Sequence, residues 1–118
     1  MTIQLTDGTN TADYVTISTS RNEYIFRDDS STLQNPRTLR VSHQVANSPD
    51  GVDRHLVQMV RNDDDEDGNP IQGSVHVVLA APRTGVTKAN LLLQWEMLRR
   101  FVDAQFDELY DGFPPTQS

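Results

Sequence analysis

Along Thr38-Leu39-Arg40-Val41-Ser42-His43-Gln44-Val45 apolar and polar residues alternate strictly. Leu39, Val41 and Val45 fall on one face, and Thr38, Arg40, Ser42 and Gln44 on the other. A period of two marks a strand with one face in a core and one in solvent. The same pattern predicts a short strand at Glu23–Arg27, closed by the turn cluster Asp28–Thr32, and further strands at Arg54–Arg61 and Ser74–Ala81. Near the N-terminus Ile3 and Leu5 alternate with polar neighbours, Asp7-Gly8 marks a turn, and Tyr14, Val15 and Ile17 resume, which predicts a hairpin over residues 1–20. Asn47-Ser48-Pro49-Asp50-Gly51 is a strong turn signal.

After Pro82 and Gly85 the period lengthens. Leu91, Trp95, Leu98, Val102, Phe106 and Leu109 recur at steps of three and four, as on one face of a helix. Thr87 suits the N-cap, and Gly112 with Pro114 and Pro115 suits the stop. Residues 87–111 therefore read as a helical segment of roughly seven turns, about 36 Å long, and the pattern leaves open whether it is one helix or two. Leu92, Leu93 and Phe101 widen the apolar stripe beyond what a small sheet covers, so part of it is expected to meet a second copy of the chain. Strands first and helix last predict an α+β fold in a single domain, residues 1–118, with strands over 22–82.

Composition narrows the function. At 118 residues the chain fits one domain, and without cysteine it has neither disulfides nor a thiolate metal site. No apolar run approaches the roughly 20 residues of a membrane span, and MTIQLTDG lacks the regions of a signal peptide, so a soluble cytosolic chain is expected. The net charge of −7 argues against nucleic acid only as a total. Residues 63–67 hold five of the seventeen acids, and four more lie between Asp103 and Asp111. Between Arg21 and Arg61 six arginines face five acids, so the central strands can present a locally positive face. No nucleophile elbow, P-loop, zinc-protease or dinucleotide motif occurs, and His43, His55 and His76 each read as lone strand histidines. The chain is not expected to be an enzyme.

The run DDDEDGNPI, Asp63, Asp64, Asp65, Glu66, Asp67, Gly68, Asn69, Pro70 and Ile71, imitates the first half of a calcium loop. Its twelfth position would be Ser74 where a bidentate Glu is needed, and its flanks read as strands, so an EF-hand is excluded. The run is expected to be an acidic turn with no metal or other cofactor of its own. A weak divalent cation shared between copies at a symmetry axis stays open.

The order of elements, with RTLRVSHQVANS, DRHLVQMVRN, GSVHVVLAAP and TKANLLLQWEMLRRFVDAQFDEL, resembles the coat proteins of single-stranded RNA bacteriophages, the levivirus group. The resemblance covers essentially the whole chain. It implies an N-terminal hairpin, a five-stranded antiparallel sheet and C-terminal helices. It also implies an obligate homodimer with joined sheets and interlocked helices, and a T=3 icosahedral virion shell built from such dimers in the bacterial host cytoplasm. Single-stranded RNA would lie on the inner sheet face. By strand phase the implied RNA-binding residues are Thr38, Arg40, Ser42, Gln44, Arg54, Gln58, Ser74 and His76, interrupted by Leu56 and Val60. Leu91, Trp95, Leu98, Val102 and Phe106 would form the dimer helix. Asp63–Ile71 would gather at the symmetry axes as an assembly loop, making shell stability depend on pH or divalent ions. The alternative class is a non-viral dimeric RNA- or DNA-binding regulatory module built on a sheet platform. An acidic protein-interaction domain comes third.

Overall fold

The computed structural model describes residues 1–116. Its elements are β1 (Thr2–Thr6), β2 (Thr11–Ser20), β3 (Glu23–Asp28), β4 (Arg37–Gln44), β5 (Val52–Asp64), β6 (Pro70–Pro82), α1 (Lys88–Ala104) and α2 (Phe106–Asp111). The chain divides into two compact units, Met1–Ala80 and the segment from Ala81 onward. None of its helices is long and apolar enough to cross a membrane among the described residues.

In the first unit the strands make one antiparallel sheet in sequence order, β1 to β6. This corrects the expectation of a hairpin beside a five-stranded sheet. The ten-residue β2 is long enough to pair with β1 through Thr11–Val15 and with β3 through Tyr14–Ser20, so the hairpin is simply the first two of six strands. The register slips between Thr16 and Ser18, a bulge that lets Ile17 point into solvent. The β1–β2 turn is tied by Asp7, whose carboxylate accepts the N–H groups of Thr9 at 2.8 Å and Asn10 at 2.7 Å. Those same bonds hold the Asp7 carboxyl below the usual aspartate value.

Strand pairing places one apolar side chain after another on a single sheet face. Phe26 lies opposite Leu39, Leu39 opposite Met59, and Ile3 opposite Tyr14. Tyr14, Phe26 and Leu39 are buried, Phe26 with 3% of its surface exposed, and Ile3, Leu5, Ala12, Tyr24 and Val41 pack around them. The core therefore sits on β2, β3 and β4.

Asp28 joins this core as a buried charge. Its carboxylate accepts the Ser30 N–H at 3.0 Å and hydroxyl at 2.8 Å, and Arg37 lies 3.7 Å away. Burial pushes the carboxyl up, but the Ser30 bonds and the charges of Arg37 and Arg27 outweigh it and hold it below the ordinary 3.8. Tyr14, its cross-strand neighbour, has its phenol pushed up by burial and then by the Asp28 charge.

In the second unit Thr87 caps α1, its hydroxyl accepting the Asn90 N–H at 3.2 Å. The predicted segment 87–111 is two helices, separated at Gln105, whose backbone leaves the helical region at φ −116° and ψ 19°. The buried Gln105 amide clasps the tail: its Oε1 accepts the Thr116 N–H at 2.8 Å and its Nε2 donates to the Thr116 carbonyl at 3.1 Å. Gly112, left-handed at φ 75°, ends α2 where the sequence predicts the stop.

A depressed carboxyl stabilises the fold above its unfolded pKa, and that stability disappears as pH falls through the folded value. Asp28→Asn is expected to cost about 1–3 kcal/mol at pH 7. In thermal melts the gap from wild type should shrink as pH drops below 3.8. A gap independent of pH would show that the charge of Asp28 is idle.

Candidate nucleic-acid interface

The predicted RNA-binding residues of β4 and β5 share one sheet face, opposite the core. The register sets Arg40 against Gln58 and Gln44 against Arg54, with Thr38 against Val60 and Ser42 against Leu56. Pairs of two polar residues thus alternate along the ladder with pairs of one polar and one apolar residue, and Leu56 and Val60 do interrupt the face. Gln72 donates to the Asn62 side chain at 3.1 Å across β5 and β6. That contact puts both on one face, and alternation along the strands adds Ser74 and His76 to the side of Gln58. Arg40, Gln44, Arg54, Ser74 and His76 are exposed, while Thr38, Ser42 and Gln58 are half-buried.

Two residues of β3 that the sequence did not single out lie on this face. Arg27 is opposite Thr38, and Glu23 is opposite Ser42. Arg27 donates to the Ser31 carbonyl at 2.9 Å. Glu23 holds Arg40 by two bonds to one carboxylate oxygen, 2.6 Å from Nη2 and 3.1 Å from Nε. Arg40 is therefore largely neutralised within the sheet, and Arg54 carries the less compensated positive charge. The register on β3 was the missing signal, because charge counting treats Glu23 and Arg40 as unrelated.

The acidic run is less of a loop than predicted. Asp63 and Asp64 end β5, Pro70 and Ile71 begin β6, and only residues 65–69 turn. Asp63 pairs with Arg61 at 2.7 Å, and Asp64 accepts a bond from the Asn35 amide at 3.2 Å. Asp65 builds the turn: one carboxylate oxygen accepts the Asp67 N–H at 2.9 Å and the Asn69 N–H at 2.8 Å. Gly68, at φ 80°, closes it with a bond to the Asp65 carbonyl at 3.0 Å. Among the described residues no three metal-ligating side chains are placed to hold one ion, here or elsewhere.

Two further surfaces are apolar and uncovered. From Pro70 to Ala80 every residue of β6, the last strand of the sheet, is exposed, including Val75, Val77, Val78 and Leu79. Neither helix holds a buried residue. Of the predicted dimer helix, Leu91 and Val102 are half-buried, whereas Trp95, Leu98 and Phe106 are exposed, the last at 55%.

No protein-family model and no curated protein matches the chain. Solved structures do. A virus-like particle of bacteriophage AVE019 aligns over 98% of this chain and 97% of its own, at TM-score 0.77 and 15% identity. A virus-like particle of Beihai levi-like virus 21 covers the same shares at TM-score 0.73 and 14% identity. The coat protein of bacteriophage EMS014 aligns over 83% of this chain and 70% of its own, at TM-score 0.66 and 18% identity. The fold is that of levi-like phage coat proteins. At these identities the likeness resides in backbone path, and the coat-protein fold is reached here with a different set of side chains.

The five acids of this coat-protein-like hairpin therefore divide by task. Asp65→Ala is expected to cost about 0.5–2 kcal/mol, since two turn N–H groups lose their acceptor. Asp67→Ala, whose side chain makes no bond among the described residues, should stay within about 0.5 kcal/mol of wild type. Denaturant melts compare the two, and equal effects would remove the structural role assigned to Asp65.

Proposed function

We propose that the chain is the coat protein of an RNA phage, a single coat-protein domain that dimerises, assembles into a closed T=3 icosahedral shell in the host cytoplasm, and packages single-stranded RNA. The observation that supports this most is the backbone match over 98% of the chain to a virus-like particle. The surfaces agree with it. A long apolar edge strand such as β6 is an aggregation hazard in a monomer, and pairing with a second copy removes the open edge. The helices, with Trp95, Leu98 and Phe106 exposed, offer a second apolar surface to the same partner. Obligate interfaces of this type bury about 2,000–5,000 Å².

RNA would meet the β4–β5 face. Arg54 neutralises phosphate, Gln44, Gln58 and Ser42 reach sugars or base edges, and His76 offers a ring on which a base stacks. The hairpin Asp63–Ile71 would be an assembly contact, with Glu66 and Asp67 at its tip. Acids repeated around an axis repel, so divalent cations would stabilise the contact.

Bacterial expression of the protein alone, followed by electron microscopy, tests the proposal. Uniform closed shells containing host RNA are expected, and dimers under every ionic condition would overturn it. Chelator should lower the melting temperature of the shells but leave that of dimers unchanged.

The RNA face has its own order of effects. Arg54→Ala should weaken binding of a single strand more than Arg40→Ala, and lower the slope of log K against log salt by about 0.7. Glu23→Gln, by releasing Arg40, should strengthen binding and raise the slope by a similar amount. Filter binding across a salt series reads both, and equal losses from the two arginines would contradict the neutralisation of Arg40 by Glu23.

A further inference from the structure

His43 and His55, read from the sequence as lone histidines, are direct cross-strand partners on β4 and β5. Their Nδ1 atoms approach to 2.8 Å. The rings are steeply inclined, with centroids 5.0 Å apart and planes at 68°. Both are half-buried, on the core face of the sheet near the turn that joins the two strands. The pair is held from several sides. The His43 backbone N–H bonds the Asn22 carbonyl at 2.8 Å, and the Tyr24 ring meets His43 edge-on with centroids 6.3 Å apart. Asp53, two residues from His55 and so on the same face, accepts the Ala46 N–H at 2.8 Å and fixes the turn.

Two neutral imidazoles at this distance share one proton: one Nδ1 donates and the other accepts. A metal ion can take the place of that proton when the donating ring shifts it to its own Nε2, so that both Nδ1 atoms offer a lone pair. Metal–imidazole bonds are about 2.0–2.1 Å long, so two nitrogens at right angles on one ion stand about 2.9 Å apart. The observed 2.8 Å matches that separation. A tetrahedral ion would need about 3.4 Å. Bringing both lone pairs onto one ion requires the rings to tip, and imidazole torsions about χ2 are soft.

We propose that His43 and His55 form a two-histidine site for a tetragonal transition-metal ion, with Cu²⁺ preferred over Ni²⁺ and Zn²⁺. Imidazole suits these ions, adjacent equatorial positions suit Cu²⁺, and Cu²⁺ stands highest in the divalent affinity series. With two protein ligands the remaining positions are filled by water, so the ion exchanges readily. Bound there, it clamps β4 to β5 at the end of the hairpin remote from the acidic turn. The assignment is independent of the proposed coat function.

The full-length protein titrated with CuCl₂ in a non-coordinating buffer tests it. Calorimetry is expected to give one Cu²⁺ per chain at this site, unaffected by excess Mg²⁺, an oxygen-preferring ion. Pulsed electron paramagnetic resonance should show the remote-nitrogen modulation of two equatorial imidazoles. His43→Gln or His55→Gln should weaken binding at least tenfold and leave at most one imidazole, whereas His76→Gln should change neither. Absence of Cu²⁺ binding overturns the proposal. So does a wild-type signal lacking the two-imidazole signature, since oxygen ligation would place the ion on the acidic turn. That spectrum is read on the unmodified chain and does not depend on any variant folding.

Discussion

Burial of Tyr14, Phe26 and Leu39 on one face of the sheet is the contact on which the rest of the first unit depends. These are its buried hydrophobic side chains among the described residues, and they lie on three consecutive strands. Because the core is confined to β2, β3 and β4, strand alternation hands the opposite face of the same strands to solvent. The charged ladder with Arg40, Gln44 and Arg54 exists because Leu39, Val41 and their neighbours point the other way. A one-residue slip of β4 would exchange the two faces. Core and candidate interface are therefore one constraint seen from its two sides.

So small a core also explains where the apolar surface went. β6 and the two helices carry most of the exposed large hydrophobic side chains, and none of their residues is buried. A monomer left in this state would aggregate. On the coat-protein proposal a second copy covers both surfaces, so stability and assembly are drawn from the same residues. Asp28 illustrates the economy of the first unit: a charge is admitted to the core because Ser30 and Arg37 satisfy it locally.

Much of this was legible in the sequence. Strict alternation placed β4 within one residue and assigned its faces correctly, because β4 is covered on one side only. The C-terminal end of β5 was missed because Asn62, Asp63 and Asp64 are poor strand formers; the Asn62 side chain donates to the Pro36 carbonyl at 2.7 Å and accepts from Gln72. The division of the helical segment was invisible for a different reason. Gln105 is an ordinary helix former, and its bond partner Thr116 lies eleven residues on. The pairing of His43 with His55 and of Arg40 with Glu23 required register, which a period of two does not contain. The chain's likeness to known coat proteins was readable as an order of elements, although identity with the three structures named above is only 14–18%.

The tip of the β5–β6 hairpin has a practical side. Its last ladder bond joins the Asp65 N–H to the Asn69 carbonyl at 2.8 Å, so Glu66, Asp67 and Gly68 lie beyond the paired strands. Foreign peptide grafted between Glu66 and Asp67 would leave the sheet's hydrogen bonding intact, as exposed loop tips generally permit. On the coat-protein proposal, a series of grafts of increasing length would then act as a ruler, reporting how much clearance the tip has against whatever it faces in the assembled shell.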